Sequence, residues 1–287
     1  MSHLVAYYGN EPENVACALF SARAALSRGD REGALSHGFG LGFVQAGDVL
    51  LQKRPRAAAA DVDLYGLAKD ARSDALIGRI GLSHDGNTLA EDADPFRFRS
   101  WLFGSIGSFG EVPEASFEAI REKVLESIPA FLRRNIRGTS PGEHLFHLFL
   151  AFLHDAGILD QPTPVPSAVL LALQSALTFV DRLMTGEGAR PLQLALATTN
   201  GRCFVAASFG YPMRYLDVDG ISDCPVCQAR DERGDARRGG RRVRHEALRA
   251  FIVEASRDGA PRSGWRDVPD RTALIAGPDR IPQLASL

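Results

Sequence analysis

The spacing of apolar residues changes period several times along this chain, and each change predicts an element. Residues 4–8 are almost all apolar and read as a buried strand. Over 15–27 apolar residues recur every three or four positions, which predicts a helix with one buried face, ended by Gly29-Asp30. The runs 38–44 and 49–53, joined by Ala46-Gly47-Asp48, predict a hairpin whose first strand is rich in glycine. Strands are also predicted over 75–81 and 101–104, with a polar loop around Asp94-Pro95-Phe96 between them. Helical spacing then takes over at 116–134, at 142–154 and, after the proline-rich 161–166, at 167–185. Strands return at 192–197 and 203–208 around Thr199-Asn200-Gly201-Arg202, and again at 250–254. Asn-Gly between two apolar runs favours a tight hairpin because both residues tolerate positive φ.

Strands and helices therefore arrive in blocks and not in the regular alternation of a parallel, doubly wound sheet. That order predicts an α+β fold in which antiparallel sheets carry helices on their outer faces. With 287 residues, 45% of them hydrophobic, one large domain over 1–287 is expected. The composition breaks sharply once, at 223–245, where Cys224-Pro225-Val226-Cys227 is followed by arginines at 230, 233, 237, 238, 241, 242 and 244. So few apolar residues predict an exposed insert there.

Charge narrows the classes of partner. A formal net charge of -2 gives the chain no drive towards nucleic acid or an anionic membrane. Within the arginine-rich stretch, Asp231, Glu232 and Asp235 lower the local charge, and no aromatic residue lies between Cys227 and His245 to stack on a base, which argues against a nucleic-acid footprint. The first apolar run is too short for a signal peptide or a membrane span, and 145–153 is interrupted by His147 and ends at His154-Asp155, as a buried helix does. A cytoplasmic protein with no membrane partner is expected. Four cysteines, at 17, 203, 224 and 227, form no disulfide framework in a chain of this length, and a reducing compartment fits them.

Several short motifs, taken in order, carry a resemblance. Met1-Ser2-His3-Leu4-Val5-Ala6-Tyr7-Tyr8-Gly9 resembles the Met-Cys-Arg-Leu-Leu-Ala-Tyr-x-Gly opening of class II glutamine amidotransferases. Gly38-Phe39-Gly40-Leu41-Gly42 is similar to that family's Asp-Gly-Phe-Gly-x-Gly strand, Asp94-Pro95-Phe96 to its His-Pro-Phe, and 101–107 to the apolar strand ending in Ala-His-Asn-Gly. The stretch 138–146 resembles the Gly-x-Thr-Asp-Ser-Glu-x-Leu-Phe helix start, Thr199-Asn200-Gly201 the Thr-Asp-Gly hairpin, and Ala255-Ser256 with 265–269 the closing Ala-Ser-Glu-Pro and Trp-x-x-Val-Pro. The resemblance covers most of the chain. It implies the N-terminal-nucleophile hydrolase fold, a four-layer αββα sandwich of two mainly antiparallel sheets.

In that family, removal of the initiator Met exposes an N-terminal Cys that attacks the glutamine side-chain amide, giving glutamate and ammonia. Its own α-amine, with an unperturbed pKa near ~8, is the base. Here Ser2 stands at the nucleophile position. The arginine that holds the glutamine carboxylate aligns with Gly81, while Arg79 lies two residues earlier on the same strand face. Ser105, Ile106 and Gly107 occupy the end of the Ala-His-Asn-Gly motif, so the oxyanion-hole Asn is replaced by Ile106 and only the Gly107 backbone N–H is kept. The acid that binds the substrate's amino group aligns with Pro141. These replacements imply a silent or repurposed module that binds a small-molecule amide or amino-acid ligand, or a protein partner. The alternative is an active N-terminal serine amidohydrolase with a different amide substrate. No cofactor is expected.

Three further patterns have both a chemical and a bland reading. Cys224-x-x-Cys227 has half the spacing of a zinc site, with Cys203 and His245 the nearest donors along the chain, yet a pair of reduced thiols or an idle remnant of a metal knuckle is the leading reading, and no metal is expected. His144 and His147 lie one helical turn apart near Glu143 and His154, and a packed core or rim histidine is expected from that pair. Gly38 to Gly42 has Gly-x-Gly-x-Gly spacing but does not open a helix, so it does not read as a phosphate loop.

Overall fold

In the computed structural model, residues 3–28, 38–54, 62–81, 91–234, 244–257 and 263–287 are described. The first strand, β1 (His3–Gly9), is buried on both faces, as its unbroken apolar run requires. After it come the short helices α1 (Val15–Phe20) and α2 (Arg23–Leu26) and the two-residue strand β2 (Ser27–Arg28). The predicted hairpin is β3 (Gly38–Gln45) and β4 (Asp48–Arg54), followed by β5 (Val62–Asp63), α3 (Leu64–Ala68) and β6 (Ala75–Gly81). Then come β7 (Phe96–Phe98) and β8 (Trp101–Ser108), and the helices α4 (Glu114–Glu126), α5 (Ala130–Arg133), α6 (Pro141–Asp155) and α7 (Pro166–Gly186). The last third holds β9 (Gln193–Thr199), β10 (Phe204–Phe209), β11 (Met213–Ile221), α8 (Pro225–Gly234), β12 (His245–Ala255), β13 (Trp265–Val268), β14 (Thr272–Ala276) and β15 (Gln283–Ser286).

The strands form a seven-stranded sheet in the order β13-β11-β12-β1-β6-β3-β4 and a six-stranded sheet in the order β15-β14-β10-β9-β8-β7. Pairing within both is antiparallel. Alternation along single strands assigns the layers. On β1, Leu4, Ala6 and Tyr8 enter the core between the sheets, while Val5 and Tyr7 turn outward to pack with Val15, Leu19 and Leu64 of α1 and α3. On β8, Leu102 and Ile106 face the first sheet, whereas Trp101 and Phe103 face α6. There Trp101 meets Phe149 edge-on, its indole N–H donates to the Leu159 carbonyl at 2.9 Å, and Phe103 stacks on Phe146. The result is the expected four-layer αββα sandwich, with α1–α3 on one outside and α4–α7 on the other.

The glycine-rich β3 has a packing cause. A Cβ at Gly40 would lie 1.9 Å from the Asp94 carbonyl oxygen, and one at Gly42 would lie 2.4 Å from Leu102 and 2.9 Å from Pro95. The missing side chains let the 94–95 loop pass between the sheets.

Several element boundaries differ from the sequence reading. The helix expected over 15–27 is α1 and α2, and its last residue, Ser27, opens β2. The helix expected over 116–134 stops at Glu126 and resumes as α5, because Pro129 cannot donate to a continuing helix and its neighbour is pushed out of the helical region. Strand 101–104 runs on to Ser108, and β11, β13, β14 and β15 are additional. Within 223–245, Cys224 is fully buried and Pro225–Gly234 is helical, while residues 235–243 lie outside the described residues. The start of that stretch is thus tied to the fold through Cys224. Among the described residues one helix, α7, is long and apolar enough to cross a bilayer by length and composition. Its Val169, Leu173, Leu177, Val180 and Met184 form a buried stripe in the core beside the second sheet.

Candidate functional site

Where β1 begins, His3 pairs with Ile80 and Leu4 with Arg79 on β6, so the start of the described chain lies beside the end of β6. Arg79 is in phase with Ala75 and Ile77 and faces the inter-sheet core. It is 9% exposed and ion-paired with Asp94, which is 3% exposed. The other oxygen of Asp94 accepts the Ser105 backbone N–H at 2.7 Å and the Ser105 hydroxyl at 3.2 Å. One carboxylate thus gathers a guanidinium, an amide and a hydroxyl at the place where the glycines of β3 admit its loop. A buried, hydrogen-bonded pair of this kind is costly to open from either side, since the partner left behind stays charged and out of water.

A second acidic group builds the start of α6. Asp92 accepts the backbone N–H groups of Thr139 at 2.6 Å and Ser140 at 2.9 Å, and Glu143 accepts those of Arg137 at 3.0 Å and Gly138 at 2.7 Å. Ser140 caps the helix by accepting from the Gly142 N–H at 3.2 Å. Pro141 sits in the first turn, where its missing N–H costs no hydrogen bond. Burial raises the Glu143 carboxyl above the usual carboxylate range, against the opposing pull of its two N–H donors. Burial likewise lowers the Lys53 ammonium, with Asp94 and Glu143 pulling the other way. The charged groups of this region are arranged against one another.

The positions singled out by the resemblance fall as follows. Ser2 lies outside the described residues. Gly81 ends β6 with φ +148° and pairs with Gly38. Ile106 is 2% exposed and packed in the inter-sheet core with Leu4, Leu102 and Ala195. Gly107 has φ +129°, and a Cβ there would lie 1.9 Å from the Gln193 carbonyl oxygen, so backbone geometry alone demands glycine. Pro141 lines a cavity of about 30 Å³ with Ile120, Arg121, His144 and Met184 among its neighbours. That is room for about one water molecule, against roughly 300–1,000 Å³ for a small-ligand site.

The outer face of the same sheet end holds a chain of polar groups absent from the sequence reading. His3 Nε2 lies 3.1 Å from Glu254 Oε1, and Arg214 Nε donates to Glu254 Oε2 at 2.8 Å. All three side chains are buried. Their partners are set by register across β1, β12 and β11, which single-strand patterns do not encode.

One packed histidine is expected from the His144 and His147 pair of α6, and both are buried. Burial, then Arg121, lowers His144 to about 4, and burial lowers His147, whose Nδ1 lies 2.9 Å from the Glu143 carbonyl oxygen. His154 is exposed beside Asp155. Cys203 is also a core residue, wholly buried with Phe209 and Val205, its thiol pushed up to about 12 by burial. It does not join the Cys224-x-x-Cys227 pair. Among the described residues, the donors that do meet Cys224, Cys227 and His245 are supplied by Cys17 on α1, which the sequence reading did not connect to them.

No protein-family model and no curated protein matches this chain. Its structure is similar to a glutamine aminotransferase class-II domain protein from Silicibacter pomeroyi, with a TM-score of 0.58 and 17% identity, covering 99% of this chain and 98% of that one. It is also similar to a predicted glutamine amidotransferase from Pseudomonas aeruginosa, with a TM-score of 0.53 and 13% identity over 98% and 94% of the two chains. Against the glutamine phosphoribosylpyrophosphate amidotransferase from B. subtilis complexed with ADP and GMP, the TM-score is 0.50 and the identity 12%. This chain is then covered over 99% of its length but spans only 49% of the larger enzyme. The structural neighbours are thus class II glutamine amidotransferase-domain proteins, and the shared property at these identities is the layered αββα fold.

Proposed function

We propose that this chain is a class II glutamine amidotransferase-like protein that no longer hydrolyses glutamine, and whose site is repurposed to hold a small amide or amino-acid ligand or a protein partner. The observation that carries this reading is Ile106. At the position that the resemblance assigns to the oxyanion-hole Asn stands a hydrocarbon buried in the inter-sheet core, which offers no hydrogen to a tetrahedral oxyanion. Loss of one such donor costs about 10² to 10³ in rate.

Two further features agree with it. Arg79, the nearest arginine to the carboxylate-binding position, is engaged by Asp94, so to receive a ligand carboxylate it would have to give up a buried ion pair. Pro141 has no charge with which to hold an amino group. The same reading places the protein in the cytoplasm, where its buried, closely spaced thiols stay reduced.

The test is glutamate release from glutamine by the purified chain and by Ser2→Ala, with intact mass measured to establish whether Met1 is removed. Equal background rates are expected. Saturable release that depends on Ser2 would overturn the reading in favour of an active N-terminal serine amidohydrolase.

A further inference from the structure

Three thiols and one imidazole meet where α1, α8 and β12 come together on the outer side of the first sheet. The ligand atoms of Cys17, Cys224, Cys227 and His245 all lie within 4.8 Å of one another. Cys17 Sγ is 3.6 Å from Cys227 Sγ, and Cys227 Sγ is 3.4 Å from His245 Nε2. Cys17 and Cys224 are buried, and Cys227 and His245 are half-buried. The four arrive from three separate elements: Cys17 from within α1, Cys224 and Cys227 from the start of α8, and His245 from the first position of β12.

The 3.6 Å and 3.4 Å spacings match the edges of a metal tetrahedron, and the remaining ones stay within 4.8 Å. Zinc bonds of about 2.3 Å to sulfur and 2.0–2.1 Å to nitrogen place neighbouring ligand atoms about 3.6–3.8 Å apart. A disulfide would need its sulfurs near ~2.05 Å, would use only two of the three thiols and would leave the imidazole without a part. We infer that Cys17, Cys224, Cys227 and His245 form a closed Cys3His site for one divalent zinc ion, which fastens α8 and the start of β12 to α1. Three soft thiolates and one imidazole select zinc over magnesium or calcium, and four protein ligands leave no open position for catalysis.

The ten residues of α8 are too few for a stable isolated helix, and its sequence, Pro-Val-Cys-Gln-Ala-Arg-Asp-Glu-Arg-Gly, has little apolar surface to bury. A zinc ion is bound by such a cluster as thiolates, with release of protons to solvent. The thiolates of Cys224 and Cys227 then also lie at the positive end of the helix dipole.

The full chain, purified without chelator, is measured for zinc content by elemental mass spectrometry, then stripped and titrated with zinc alone and with cobalt as a spectroscopic probe. One zinc per chain is expected, together with a thiolate-to-cobalt charge-transfer band and a fall in Tm on chelation. Zinc should be lost in Cys17→Ser, Cys224→Ser and His245→Ala but retained in Cys203→Ser. The titrated wild-type chain keeps the test independent of whether each variant folds. Absence of stoichiometric zinc both as purified and after titration would overturn the assignment. So would stoichiometric iron in its place, a Cys17–Cys227 disulfide in the non-reduced mass, or zinc that survives Cys17→Ser.

Discussion

The two faces of the first sheet use reactive side chains in opposite ways. On the inner face, and on β8 of the second sheet that packs against it, the positions that the resemblance marks for chemistry are engaged in packing: Arg79 is paired with Asp94, Ile106 fills the inter-sheet core and Gly107 is required by its own φ. On the outer face, Cys17 and His245, both distant in sequence from the Cys224-x-x-Cys227 pair, converge with it on one point. Conversion of a site to structure leaves its groups paired with each other, whereas a site built for a ligand leaves donors aimed at a common centre. By that criterion the outer cluster is the better-formed binding site of the two.

The largest effect should come from opening the inner pair. Arg79→Met leaves Asp94 charged and buried with only the Ser105 donors, and should cost about 3–5 kcal/mol in urea unfolding. Adding Asp94→Asn removes the stranded charge while keeping an acceptor for the Ser105 N–H, so the double variant should recover part of the loss. A cost below about 1 kcal/mol for Arg79→Met would mean that the arginine is available to a ligand, in line with the range for exposed pairs, and the contrast between the faces would fail.

A smaller effect concerns the helix that borders the inner site. His144 falls to about 4 in the folded protein, from an ordinary value near 6.5, because burial and Arg121 disfavour its cation. Between these two values the unfolded chain binds the proton and the folded chain does not, so stability falls as pH drops from 6.5 towards 4. His147, lowered by burial, contributes in the same direction. Glu143, whose carboxyl is raised, contributes in the opposite direction by binding its proton earlier in the folded state. His144 alone amounts to about 3 kcal/mol across the window. Tm measured from pH 7 to 4.5 should decline, and His144→Leu should flatten the decline; an unchanged slope would assign the acid sensitivity elsewhere.

The sequence was informative where the physics is local. The buried run of β1, the apolar stripes of α6 and α7, and the turn at Asn200-Gly201, where Asn200 accepts from the Arg202 and Cys203 N–H groups and Gly201 has φ +82°, all follow from patterns within a few residues. Motif order was enough for the layered fold. Longer-range facts were hidden. Cys17 lies inside an ordinary apolar helix run, Val-Ala-Cys-Ala-Leu-Phe, and nothing local distinguishes it from core filler, whereas Cys203 drew attention only by being nearer to Cys224 along the chain. Likewise β11 mixes Arg214, Asp217 and Asp219 with its apolar residues and carries a register shift between Asp219 and Ile221, so no clean alternation marks it as a strand. The Arg79–Asp94 pair depends on a loop crossing between the sheets, which glycines at 40 and 42 permit but do not announce.

The smallest expected effect is none at all. Ser2→Cys restores the family's nucleophile, and a thiol is far more reactive than a hydroxyl beside the same α-amine. Rate, however, depends on stabilising the oxyanion and on fixing the substrate at both ends, and a thiol supplies neither. The inner face has its hydrocarbon at 106, its arginine held by Asp94, and a proline where a charged group is needed. Glutamine hydrolysis by Ser2→Cys, checked by mass for Met1 removal, should therefore stay at background. Activity should require Ile106→Asn, Gly81→Arg and Pro141→Asp in addition, each helping only when the others are present, because such groups act as a unit. Those additions carry their own cost: an Asn at 106 exchanges a buried aliphatic side chain for an amide that needs partners in an apolar layer, about 1–3 kcal/mol if it finds none. Saturable glutaminase activity from Ser2→Cys alone would mean that the inner face still holds a working oxyanion hole and substrate clamp, and that the packed arrangement of Arg79, Asp94 and Ile106 opens when glutamine binds.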